Sequence, residues 1–109
     1  MLGAMIEMTY RVLVDDNFHY MDEAERYELG AFARLDAAIA AAKAIVDTYL
    51  AAAYKPEMTA HDLFASYTAF GEDPFILAPD QTDVSFSAWE YAKQRCEDVC
   101  GRPKSKTTN

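Results

Sequence analysis

The sequence predicts an α+β domain of two layers: a small, mainly antiparallel sheet with helices packed on one face. Three observations lead there. Two early segments alternate with a period of two. Three later segments repeat their apolar residues at helical spacing. A short apolar run, PFIL, lies between the second and third of these. The resulting order, β-β-α-α-β-α, is that of an α+β arrangement.

The first strand covers residues 9–14, TYRVLV, with Tyr10, Val12 and Val14 on one face and Thr9, Arg11 and Leu13 on the other. Its β-branched and aromatic content suits a pleated surface. Residues 26–32, RYELGAF, alternate again, setting Tyr27, Leu29 and Ala31 against Glu28, Gly30 and Phe32. Gly30 marks a bulge or a close backbone approach. Two strands in succession predict an antiparallel hairpin. Its loop, roughly a dozen residues, exceeds the usual two to five. Phe18, Tyr20 and Met21 would anchor that loop to the body.

Asp36 opens the first helix, in which Leu35, Ile39, Ala42, Val46, Tyr49, Leu50 and Ala53 recur at helical spacing. Its alanines favour helix and allow close packing. Lys55 and Pro56 end it. Thr59 and Asp62 resemble a capping box, with Met58 and Leu63 as the hydrophobic staple. The second helix would turn Leu63, Phe64, Tyr67 and Phe70 inward and stop at Gly71 as its C′ residue. PFIL, from Pro74, reads as a short edge strand, because proline cannot donate to a ladder. Pro79 and Asp80 make a turn. SAWE is a second capping box, Ser87 to Glu90, with Phe86 and Tyr91 as staple. Trp89, Ala92, Cys96 and Val99 form the buried stripe of the last helix, which Gly101 and Pro103 end.

At 109 residues the chain is expected to fold as one domain, residues 1–101, with a polar, basic, disordered tail at 102–109. A core of that size needs no disulfide or metal. The 18 acidic and 10 basic residues give a net charge of −8. Three of the positives, Arg102, Lys104 and Lys106, lie in the tail, so the body carries 18 acidic against 7 basic residues, or −11. Such a body repels phosphate backbones and anionic bilayers, so neither nucleic acid nor membrane is an expected partner. The start, MLGAMIEM, has no positive segment and carries Glu7 within its apolar stretch, unlike a secretory signal. The cytoplasm is the expected location.

The stretch VDDNFHYMDEAERYELG holds the candidate ligand-binding residues Asp15, Asp16, Asn17, His19, Tyr20, Asp22 and Glu23. It fails as an EF-hand loop. Counted from Asp15, Tyr20 occupies the sixth position, where glycine is needed, and Arg26 the twelfth, where a bidentate glutamate is needed. The only other histidine, His61, sits far along the chain, and no metal is expected. Cys96 and Cys100, one helical turn apart, are expected to be free thiols with Cys96 buried. The sequence holds no nucleophile elbow, phosphate loop, dinucleotide fingerprint or zincin motif, so no catalytic residue and no cofactor are assigned.

The stretches YRVLVDDNFHYMDEAERYELGAF, YTAFGEDPFI and FSAWEYAKQRC resemble a family of small uncharacterised bacterial proteins. That resemblance spans residues 10–96 and implies a compact domain, without residue roles. RYELGAFARLDAAIAAAKAIVD is similar to the strand-then-helix segment of the plant ethylene-responsive DNA-binding domain, which reads DNA with strand arginines. Here the strands offer only Arg11 and Arg26 among many carboxylates, so the likeness is one of local architecture.

The leading expectation is a non-enzymatic cytoplasmic interaction module that forms a homodimer, with an unidentified protein as a further possible partner. Two surfaces would serve self-association: the open edge at residues 74–77, and the leftover face of the long helix with Ala37, Ala41 and Ala44. The alternative is a ligand- or metal-binding protein, or a small enzyme, that uses the acidic loop at residues 15–23. Convergence of at least three of its side chains into one concavity would separate the two.

Overall fold

The computed structural model describes residues 8–18 and 26–101. The tail at 102–109 and loop residues 19–25 lie outside the described residues, and so does the anchoring expected of Tyr20 and Met21. Six elements follow in order: β1 (Tyr10–Asp16), β2 (Tyr27–Phe32), α1 (Leu35–Ala53), α2 (Ala60–Phe70), β3 (Glu72–Leu77) and α3 (Ala88–Cys100). The fold is α+β, in the expected order.

The strands form an antiparallel sheet in the order β2-β1-β3. Val12 and Val14 of the central strand, with Pro74 and Ile76 of β3, turn to the helices and are buried. Arg11, Leu13 and Asp15 face the other way, beside Glu28, Phe75 and Leu77. Simple alternation in β2 does not hold. Val12 pairs with Gly30 but Leu13 pairs with Glu28, so Leu29 is an extra residue. This bulge turns Tyr27 to the helix face, opposite Val14, and Glu28 to the outer face, where it pairs with Arg11 at 3.0 Å.

The β3 edge is not open, contrary to expectation. Residues 82–84 fold back along it: Val84 N–H donates to Ile76 O, and Ala78 N–H to Thr82 O. The Tyr67 hydroxyl donates to Glu72 O at 2.6 Å, and Pro74 has no N–H to offer. Each of these blunts the strand against further pairing.

Helix α1 lies across the sheet. Ala38, Ala42, Val46 and Leu50, spaced by four, are its buried residues, whereas Leu35 is exposed. The helix starts at Leu35, after Arg34, and Asp36 falls in its first turn, where the helix dipole favours a carboxylate. Two clusters build the core. Val12, Ile76, Ala38 and Ala42 fill the space between sheet and α1. Val46 and Leu50 then meet Leu63 and Tyr67 of α2 and Ala88, Ala92 and Cys96 of α3. Lys43 and Asp47 of α1 reach α3: Asp47 accepts from the Tyr91 hydroxyl at 2.9 Å and from Arg95 Nε at 3.0 Å, and Lys43 Nζ sits 5.1 Å from the Tyr91 ring centre.

The caps follow the sequence. The Thr59 hydroxyl and Asp62 carboxylate exchange both bonds of a capping box at the start of α2. The Ser87 hydroxyl accepts the Glu90 N–H at 3.1 Å, one half of the box expected at α3. The rings of Phe86 and Tyr91 meet as its staple, 6.4 Å apart. Gly101 ends α3 with φ of 82°, a left-handed conformation suited to glycine. Gly71 differs: its backbone is extended, and glycine is needed there because an added Cβ would come 2.5 Å from Tyr67 Cδ1.

Candidate functional site

An open groove of about 700 Å³ runs along the outer side of α1. With α1 buried along residues 38, 42, 46 and 50, the helical period places Ala41, Ala44, Ile45, Thr48, Tyr49 and Ala52 on the flank that lines it. Three of these six are alanines, so the wall is shallow and the helix backbone lies near its surface. Tyr49 is held in place: its hydroxyl lies 2.5 Å from Ser66 Oγ and donates to Ser66 O. Leu29, the bulge residue of β2, lines the opposite side and is 43 % exposed. Phe70 lines it as well.

Phe70 was expected in the core. It is instead 61 % exposed and stacks on the equally exposed Phe18, with ring centres 5.5 Å apart. Trp89 also departs from its expected burial. It is 39 % exposed, while Ala88 turns inward with Ala92 and Cys96. In each helix the buried stripe is narrower than the set of apolar residues.

The groove floor is acidic. The β1–β3 ladder ends in two facing carboxylate pairs, Asp15 with Asp73 and Asp16 with Glu72. Like charges set directly opposite are unfavourable. Asp16 and Glu72 line the groove. Asp15 and Asp73 belong to the other face by alternation. Local bonds offset part of the repulsion. Arg26 pairs with Asp15 at 2.7 Å and lies 5.0 Å from the Phe75 ring centre. The Tyr27 hydroxyl donates to Glu72 at 3.1 Å, and burial, followed by the charge and hydrogen bond of Glu72, raises the Tyr27 pKa. The Phe18 N–H donates to Asp16 Oδ1 at 2.9 Å. Asp73 is pushed up to about 6, chiefly by burial and then by the charge of Asp15.

The candidate residues read from the sequence have separate fates. Asp15 and Asp16 are not loop residues; they end β1 and point to opposite faces. Asn17 is buried, at 7 % exposure, and serves as a pin between elements. Its N–H donates to Gly71 O at 2.9 Å, its Nδ2 to Tyr67 O at 3.0 Å, and its Oδ1 accepts from Trp89 Nε1 at 3.2 Å. His19, Tyr20, Asp22 and Glu23 lie outside the described residues. Among the described residues, no group of three or more His, Cys, Asp or Glu side chains is placed to hold a metal ion. His61 is exposed at the start of α2, beside Phe64, Lys93 and Glu97. Cys96 is a buried free thiol, pushed up to about 11 by burial, with Cys100 and Glu97 adding to the shift. Such a thiol is a poor nucleophile at neutral pH.

Reading the sequence singled out Ala41 and Ala44 on the leftover helix face, and both line the groove. It missed Ile45, Thr48, Tyr49, Ala52, Leu29, Phe70 and Glu72 as a set. The signal that could have found them is the excess of apolar positions on α1 over the single stripe that a three-stranded sheet can cover. Among the described residues, no helix is long and apolar enough to cross a membrane. No protein-family model, curated protein or solved structure matches this chain.

Proposed function

We propose that this protein is a non-enzymatic interaction module of the cytoplasm, whose docking surface is the groove along α1. The observation that carries this reading is the groove itself: about 700 Å³, bordered by Ile45, Tyr49, Leu29 and the exposed Phe70, on which the exposed Phe18 stacks. Contiguous exposed apolar surface rimmed by polar groups marks interaction sites. The Asp16 and Glu72 carboxylates serve the fold, accepting bonds from the Phe18 N–H and the Tyr27 hydroxyl.

Self-association is the second reading. Ala41, Ala44 and Ala52 favour it, because small residues allow two helices to approach closely. The blunted β3 edge argues against strand pairing on that side of the sheet.

Chemical-shift mapping tests the docking reading. A neutral amphipathic helical peptide, with leucines on one face and glutamine and serine on the other, is titrated into labelled protein. Shifts are expected to cluster on residues 41–52, Leu29 and Phe70. Shifts confined to the outer sheet face, or scattered over the molecule, would count against the groove. Sedimentation at tens of micromolar, at low and high salt, tests the second reading; a monomer at both removes it.

A further inference from the structure

We propose that the cleft between β3 and the start of α3 binds a small organic ammonium ion, with its charge set against Asp73 and its apolar body against Phe86 and Trp89. This site shares no lining residue with the groove along α1 and stands apart from the docking reading.

The cleft measures about 380 Å³, and Asp73, Phe75, Phe86, Ser87 and Trp89 are among the residues that line it. Small-molecule sites are of this kind: about 300–1,000 Å³, mostly apolar and aromatic, with a few polar groups that fix orientation. Its walls are held by the fold. The Trp89 indole donates to Asn17 Oδ1 at 3.2 Å and meets the Phe64 ring edge-on at 6.3 Å. Phe86 packs against both core clusters, and Pro74 is buried.

Charge selects a cation. Asp73 is half-buried and stands opposite Asp15 in the ladder. Among the described residues, no hydrogen-bond donor and no cation is set against its carboxylate. Only burial and the charge of Asp15 act on its titration, and both raise it, to about 6. At neutral pH it is therefore a shielded negative charge without a counter-ion, a costly arrangement that a bound cation would offset. Arg26 pairs with Asp15, lies over the Phe75 ring and does not line the cleft.

The rings select an organic cation over a metal ion. Ammonium groups are drawn to aromatic faces, tryptophan's above all. Calcium or magnesium takes about six or more oxygen ligands, and this cleft has one carboxylate. Asp73 opposes an anion. The start of α3 would favour one, but Ser87 Oγ already accepts the Glu90 N–H, and Glu90 adds a negative charge in the first turn.

Binding should follow the ionisation of Asp73. Its charged neighbours are Asp15 of β1, paired with Arg26, and Glu72 beside it in β3. From α2 comes the Tyr67 hydroxyl, which donates to Glu72 O and whose pKa is raised by burial and then by the charge of Asp73. Ser87, Ala88 and Trp89, the share of the cleft at the start of α3, do not titrate near neutral pH.

The test uses phenethylammonium, its neutral isostere phenethyl alcohol, and the anion hydrocinnamate. Trp89 is the chain's single tryptophan, so its emission reports occupancy, and amide shifts at residues 73–75 and 86–89 place the ligand. The expected result is saturable binding of phenethylammonium, on the order of tenfold tighter than the alcohol, with hydrocinnamate weakest. Asp73→Asn should remove that advantage. Glu57→Gln, the same charge change at an exposed position between α1 and α2, should alter affinity less than about twofold. Lowering the pH from 7.5 to 5 should weaken phenethylammonium on the order of tenfold as Asp73 takes a proton, while the alcohol is unaffected. Equal binding of alcohol and ammonium, tightest binding of hydrocinnamate, or no saturable binding would each overturn the proposal. So would an Asp73→Asn protein that keeps the advantage, or an equal loss in Glu57→Gln, which would mean diffuse attraction to an acidic protein. Acetyl-lysine amide bound more tightly than phenethylammonium would assign the ammonium to a protein side chain and overturn the small-molecule source.

Discussion

At the scale of single residues, two positions carry more constraint than their identity suggests. Gly71 has an ordinary extended backbone, so its requirement is space, not conformation. The Tyr67 ring that occupies the space is fully buried and is held by its hydroxyl bond to Glu72 O. Neither ring nor carbonyl can yield freely, so Gly71→Ala should cost about 1–3 kcal/mol, as overpacking does. A urea melt measures it, and a midpoint equal to wild type would show that the ring relaxes. Asp73 carries a different penalty. Its carboxyl titrates at about 6 when folded, against an ordinary 3.8. Between those values the native state holds a proton that the unfolded chain has released, so the group favours folding below about pH 4 and loses that contribution as pH rises through 6. The full difference would be about 3 kcal/mol, and partial solvent contact reduces it to roughly 1–2 kcal/mol. Asp73→Asn should therefore be more stable than wild type at pH 7, with the gap closing towards pH 4. Melts across that range decide it; a constant offset would exclude titration as the cause.

At the scale of elements, the order and caps were legible because each depends on a few adjacent residues. Thr59 and Ser87 receive the bonds that their positions imply. Ser87→Ala should cost about 1 kcal/mol, the usual loss for an N-cap, and a denaturant curve that overlays the wild type would show that the bond contributes nothing. What local sequence could not give was which apolar residues turn inward. Tyr67 and Leu63 fill the seam under α1, and Phe70 continues their stripe but, as the last residue of α2, falls outside the core cluster. On α3, Ala88 and Ala92 allow the close approach that a buried indole would prevent, and Trp89 moves aside to donate to Asn17. The bulge was foreshadowed by Gly30, but its consequence, Tyr27 crossing to the helix face, depends on register with β1. The edge of β3 was misjudged because the strap at 82–84 has no strand pattern of its own; its bonds exist only once the turn at Pro79–Asp80 brings it back. The candidate loop was likewise shortened by pairing. Asp15 and Asp16 joined β1 because β3 extends back to Glu72 and offers them partners.

At the scale of the whole molecule, charge is the term that sequence and structure describe in common. The body's −11 is unevenly placed, because β1 and β3 set four carboxylates in two facing pairs at one end of the ladder. Against this stand a few ion pairs. Arg34–Asp36 is largely open to water, and a pair of that kind adds little. Arg11–Glu28, Arg26–Asp15 and Arg95–Asp47 are each between about a third and two-fifths exposed and tie different parts of the chain together, so they are better shielded. The sign of the salt response follows from which set dominates. If repulsion dominates, screening helps the fold, because the Debye length contracts from about 30 Å at 0.01 M to about 8 Å at 0.15 M and reaches most of the surface. If bridging pairs dominate, the same salt harms it. Repulsion has the larger reach here. It involves an excess of eleven negative charges in the body, whereas the shielded pairs are short-range contacts that salt screens least. The melting temperature at pH 7 should therefore rise when sodium chloride is increased from 10 to 150 mM, at a protein concentration where sedimentation shows no change in mass. At pH 4.5, where protonation thins the carboxylate excess, the same addition should have a smaller effect. A melting temperature that fell with salt at pH 7 would mean that the bridging pairs outweigh the repulsion.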